Sequence, residues 1–143
     1  MRWSGWMILG WVLGLAIGCG PDPDAPTRTT TESWPDGRDK SVEVTRADTL
    51  VERLEYHENG QLSVRGGFAG GKRHGVWNSY FDSGMPWSQA GYKYGVPHGE
   101  YITYHPNGET AIEGVFEDGV RAGLWRFYDE QGVQIRAVAG VEL

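Results

Sequence analysis

In the second half of the chain, short runs of apolar and polar residues alternate and are broken at regular intervals by glycine. GVWNSYF (75–81) and PWSQAGY (86–92) are typical runs, rich in aromatic and β-branched residues and too short for helices. Between them Asp82-Ser83-Gly84 forms a turn, with sister turns at Glu58-Asn59-Gly60, Pro106-Asn107-Gly108 and Glu130-Gln131-Gly132. Gly60, Gly84, Gly108 and Gly132 supply the positive φ that a tight connection needs. The pattern predicts β-hairpins. A looser turn is expected from Gly95 to Gly99.

The hairpins repeat. Tyr56, Tyr80, Tyr104 and Tyr128 are each 24 residues apart, as are the four turn glycines. Gly75, Gly99 and Gly123 keep the same period, followed two places on by Trp77, Tyr101 and Trp125. Phe68, Tyr92 and Phe116 form a further column. A fixed period across several columns is the signature of a stacked repeat. Strand side chains switch face at every residue, which places Trp77, Tyr101 and Trp125 on one face and Tyr80, Tyr104 and Tyr128 on the other. Equivalent hairpins stand about 9.6 Å apart, twice the strand spacing, so row members are expected to meet through Phe68, Tyr92 and Phe116. Gly75, Gly99 and Gly123 are expected to make room for a ring laid over the backbone.

The first part of the chain has a different character. Trp6 to Ile17 is apolar over 12 residues, too short to span a bilayer core of about 30 Å as a helix. It follows Arg2 and ends in Leu15-Ala16-Ile17-Gly18-Cys19, which resembles a lipobox, the site of diacylglycerol transfer and cleavage in bacterial lipoprotein precursors. Residues 1–18 are therefore expected to be a signal peptide, and Cys19, the only cysteine, to carry the lipid. Residues 19–45, rich in Pro, Asp, Thr and Ser, are expected to form a flexible, lipid-anchored linker. A repeat domain of about 3.5 units is expected over 46–143. The expected location is the cell envelope, and the periplasmic face of the outer membrane if the cell is Gram-negative, because Gly20 rather than Asp follows the cysteine.

Composition narrows the chemistry. Twenty-two glycines without a three-residue period require many turns. The formal charge of -6 gives no electrostatic ground for a nucleic-acid partner. His74 and His98 share a repeat position, as do His57 and His105, but equivalent turns about 10 Å apart cannot converge on one metal. Gly70-Gly71-Lys72 lacks the frame of a phosphate loop. No catalytic residue, cofactor or metal is expected.

The run Gly66 or Gly67, Phe68, Gly71-Lys72, Gly75, Trp77, Tyr80, Gly84 resembles the bacterial variant of the MORN repeat, over about residues 54–135. Tyr101 in place of Trp and Val115 in place of Gly depart from it. The resemblance implies an all-β fold, an elongated single antiparallel sheet of stacked hairpins, used as an interaction or scaffold module. The expectation is a non-catalytic envelope lipoprotein that binds another envelope protein, with Trp87, Trp77, Tyr101 and Trp125 as candidate interaction residues. Trp87 leads, since its equivalents Ser63 and Ala111 are small. The alternatives are a module for cell-wall glycan or lipid headgroup, with Trp87 beside Glu113, and an antitoxin-like or immunity-type protein.

Overall fold

The computed structural model describes residue 22 and residues 24–140; the signal segment 1–18 and Cys19 lie outside them. Ten strands follow in chain order: β1 Thr27–Ser33, β2 Asp39–Arg46, β3 Thr49–Tyr56, β4 Leu62–Ala69, β5 Lys72–Tyr80, β6 Pro86–Lys93, β7 Val96–Tyr104, β8 Thr110–Glu117, β9 Val120–Tyr128 and β10 Gln134–Ala139. Each pairs antiparallel with its chain neighbours, so one open sheet runs from β1 to β10. The described residues contain no helix.

Two kinds of connection alternate along the sheet's two long edges. On one edge, five-residue turns at Trp34–Arg38, His57–Gln61, Phe81–Met85, His105–Glu109 and Asp129–Val133 close with the first amide donating to the last carbonyl. On the other edge the connections are two-residue turns with positive φ at both positions: Ala47-Asp48, Gly70-Gly71, Tyr94-Gly95 and Asp118-Gly119. Paired positive φ matches the twist of the flanking strands. The expected looser loop from Gly95 to Gly99 is thus a tight turn, and β7 already begins at Val96.

The sheet begins at Thr27, not near residue 46, so the expected flexible linker over 19–45 does not extend through β1 and β2. Val42 and Val44 alternate onto one face and pack with Leu54, the three forming a small buried cluster edged by Val51, Tyr56 and Leu62. Threonine, which dominates β1, is stiff at χ1 and suits a strand as well as a linker. Average polarity hid the period-two pattern of Val42 and Val44.

Beside the five-residue turns the register slips, twice between β1 and β2 and once in each later hairpin. Glu55 pairs with Val64 and Tyr56 with Leu62, leaving Ser63 as a bulge. The same shift leaves Trp87, Ala111 and Ile135 without a cross-strand partner. A second irregularity lies nearer the tight turns, where Gly66 pairs with Trp77 but Gly67 already with His74.

Candidate functional site

The aromatic row is built on missing side chains. Trp77 is cross-strand from Gly66, and a Cβ there would overlap the indole ring; Trp125 stands over Gly114 in the same way. Each indole donates to a backbone oxygen, Trp77 Nε1 to Gly67 at 3.0 Å and Trp125 Nε1 to Val115 at 3.2 Å. Phe68 and Tyr92 meet Trp77 edge-on, with centroids 5.3 and 6.3 Å away. Arg73 stacks on Trp77 at 4.2 Å and Arg121 on Trp125 at 4.4 Å. Tyr101, the smaller ring, faces Ala90 on the preceding strand, where Trp77 faces Gly66, and Gly114 on the following one. Phe116 fills between Tyr101 and Trp125, as expected, but those two rings also meet directly, with centroids 5.4 Å apart.

Two expectations change here. Gly75, Gly99 and Gly123 have open space around them; they are glycine because φ is +77, +90 and +59°, beside the register irregularity. Trp77 and Trp125 are 5% and 1% exposed, so they hold hairpins together and offer no surface to a partner. Tyr101 is half-buried in the same row.

The tyrosine column lies on the reverse face and ties strands together. Tyr128 Oη donates to Glu113 Oε1 at 2.7 Å, and Arg126 Nη1 donates to the same oxygen at 3.0 Å. The Tyr128 hydroxyl first, and then Arg126, hold the Glu113 carboxyl below the usual range; Glu113 in turn pushes Tyr128 up. Both bonds fall on Oε1 and hold the Glu113 side chain against Tyr128 and Arg126 of β9. At the other end, Arg28 Nη2 donates to Tyr56 Oη at 3.1 Å.

The edge of five-residue turns carries four of the exposed apolar side chains, Met85, Trp87, Val133 and Ile135. Turn residues there reach forward into the next repeat: Trp34 Nε1 donates to Tyr56 O at 3.2 Å, His57 Nε2 to Tyr80 O and His105 Nε2 to Tyr128 O, both at 2.9 Å. Asn59 and Asn107 donate similarly to Asp82 O and Glu130 O, both at 2.6 Å. Phe81 occupies the same column, has no such donor, and instead faces Trp87 with centroids 6.3 Å apart. Trp87, on its bulge, is 51% exposed, and its sister Ile135 is 65% exposed. Met85 and Val133, also exposed, stand two residues before them.

Sequence reasoning found Trp87 but missed Ile135, Met85 and Val133. The signal was a doubled period: His57/His105, Asn59/Asn107, Arg73/Arg121 and Trp77/Trp125 are each 48 apart, and so are Met85/Val133 and the bulge residues Trp87/Ile135. Reading columns at 24 residues averaged the two kinds of unit.

The histidines near the tight turns pack locally. His74 lies against the Tyr94 ring at 4.7 Å, and His98 Nδ1 stands 3.5 Å from Asp118 Oδ1. Among the described residues no group of three His, Cys, Asp or Glu converges as a metal site would. A cavity of about 640 Å³ opens at the β1 end, lined by residues including Trp34, Lys40, Glu43, Arg53 and Glu55. Its ion pairs, Lys40–Glu32 at 2.7 Å and Arg53–Glu43 at 2.5 Å, are internal.

The family comparison agrees with this geometry. Residues 73–94 and 97–118 match the MORN repeat variant, so the chain carries two consecutive repeats of that kind. No curated protein matches the chain. Among solved structures it is similar to a chain of the Glycosylation Associate Protein complex from Streptococcus agalactiae, with 20% identity and a TM-score of 0.43. The likeness covers 71% of this chain and 20% of that one, so this chain spans about a fifth of that protein's length. Repeats of this type build binding or scaffold modules.

Proposed function

We propose that this chain, a sheet that carries MORN-variant repeats, is a non-catalytic binding platform that docks another protein of the cell envelope. In this reading a lipid on Cys19 holds it at the membrane.

The observation that carries the reading is the division of labour among the tryptophans. Trp77 and Trp125 are buried over Gly66 and Gly114, where the stack needs them. Trp87 is half exposed on a bulge that the repeat fills equally well with Ser63 or Ala111. A large aromatic half in solvent, touching Phe81 but outside the buried row that joins the hairpins, is what a protein interface favours.

The test compares Trp87→Ala with Trp77→Ala in thermal melting and in affinity capture from detergent-solubilised membranes. Trp87→Ala is expected to lose the captured partner and keep its melting temperature. Trp77→Ala is expected to lower the melting temperature. A Trp87→Ala protein that melts early and captures the same partner would remove the reading.

A second reading, a small polar ligand such as a glycan, has the cavity around Trp34 in its favour. There an indole, hydroxyls and carboxylates stand together. The Lys40 ammonium, however, already lies over Trp34 at 5.5 Å.

A further inference from the structure

The edge of five-residue turns combines an excess of acid with exposed apolar groups; the rest of the sheet exposes Val76, Tyr94, Val96, Val115 and Leu124 without that excess at its turns. Its turns carry six carboxylates (Asp36, Glu58, Asp82, Glu109, Asp129, Glu130) against one guanidinium, Arg38, which is already paired with Asp36. On the opposite edge Arg46, Lys72 and Lys93 balance Asp48, Glu117 and Asp118 at the tight turns. The acidity of the domain is thus concentrated along one line. Among the described residues, Glu58, Asp82, Glu109 and Glu130 have no ion-pair partner.

The same line carries apolar groups in a two-repeat rhythm. Met85 with Trp87 and Val133 with Ile135 are exposed. The corresponding pairs between and before them are Glu109 with Ala111 and Gln61 with Ser63. Two repeats correspond to about 19 Å along the sheet, and one repeat to about 9.6 Å.

We propose that this edge docks a basic amphipathic helix of a partner protein, with apolar side chains seated at Met85/Trp87 and at Val133/Ile135 and Lys or Arg side chains facing Asp82, Glu109 and Glu130. The proposal rests on the binding-platform reading and names the partner's chemistry. Charge complementarity selects a cationic partner. The turns that bear the carboxylates stand one repeat apart, about 9.6 Å, close to two helical turns of about 10.8 Å, whereas an extended strand presents the same side at about 6.7 and 13.4 Å and falls out of step there. At the apolar pairs, about 19 Å apart, four helical turns of about 21.6 Å reach from one to the other. A bilayer with anionic headgroups is a poor occupant, because the carboxylates repel it.

The experiment uses the full chain in detergent and two fluorescein-labelled 18-residue helical peptides with the same leucine face. One carries lysine on the polar face and the other glutamate, and binding is read by anisotropy. The lysine peptide is expected to bind at one site at least tenfold more tightly than the glutamate peptide. Trp87→Ser with Ile135→Ser should weaken it tenfold or more, and so should Asp82→Lys with Glu109→Lys and Glu130→Lys, with melting temperatures unchanged. Equal affinity for the two peptides, or indifference to either set of substitutions, overturns the proposal.

Membrane capture separates this failure from that of the platform. If the captured partner depends on Trp87 but not on the charge reversals, the platform stands and the basic helix is wrong. If peptide binding follows both sets while no membrane protein depends on Trp87, the edge has the proposed chemistry and the envelope-partner reading fails.

Discussion

Trp77 lies flat on Gly66, the ring occupying the space a side chain on the neighbouring strand would need. Trp125 on Gly114 repeats the arrangement, and the residue on the strand preceding Tyr101, the smaller ring of the row, is Ala90. Within one molecule, then, the two indoles have glycine on the preceding strand and the phenol ring has alanine. Gly66→Ala is expected to cost about 1–3 kcal/mol by overpacking, and Tyr101→Trp a similar amount. Adding Ala90→Gly should recover most of the loss caused by Tyr101→Trp, a coupling that urea unfolding of the single and double variants measures directly.

Repeats are stitched at the edge by His57 and His105, whose rings donate to the Tyr80 and Tyr128 carbonyls just before the following turns. His105→Ala should cost about 0.5–1.5 kcal/mol, the usual net worth of such a bond. Because Tyr128 O then loses its donor, the loss should appear first as faster amide exchange around Asp129–Val133. Uniform loss of protection across the sheet would show that the bond is not a local clasp.

The Glu113 carboxyl is held low by the Tyr128 hydroxyl and then by Arg126, so Tyr128→Phe should raise its titration midpoint, read by carboxyl carbon NMR. A lowered carboxylate contributes stability above its unfolded pKa, about 4.3, and loses that contribution as pH falls through the folded value. The stability gap between wild type and Tyr128→Phe should therefore narrow on acidification below about pH 4. Tyr128 itself is raised, so the share its hydroxyl contributes fades only as pH rises through and beyond the ordinary tyrosine range of about 10.

Removing residues 75–98 joins His74 to Gly99 and lets Tyr101 face Gly66, a stack one repeat shorter with a slightly loose ring. Such a protein should still unfold cooperatively. Removing residues 75–86 joins His74 to Trp87, strands of different kind, and should abolish the cooperative transition seen by circular dichroism.

Cys19→Ser should abolish metabolic labelling with palmitate and leave the leader uncut at that position, because the thiol is the atom acylated. A processed, labelled Cys19→Ser protein would show that the lipid-anchor reading is wrong.

Much of the fold was legible because a repeat states the same message several times. The turn glycines, the tyrosine column and the filling role of Phe116 could each be read from spacing alone. What escaped was set by relations between strands rather than along them. Gly66 and Gly114 looked like ordinary strand glycines until their cross-strand partners were known, and Gly75 was credited with their role. Trp77 and Trp87 are both tryptophans in strands, and only the register slip that leaves Trp87 unpaired separates a structural ring from a surface one. The linker was misjudged for a similar reason: Val42 and Val44 acquire meaning only beside Leu54.

The start of the sheet at Thr27 also sets a distance. If Cys19 bears the lipid, eight residue steps separate the anchor from β1, a reach of at most about 28 Å. A linker running to residue 46 would have allowed about 95 Å. Under that condition β1 stays close to the bilayer while β10, nine strand spacings or about 43 Å along the sheet, is the end that can reach furthest from it. The leash is then shorter than the platform it holds.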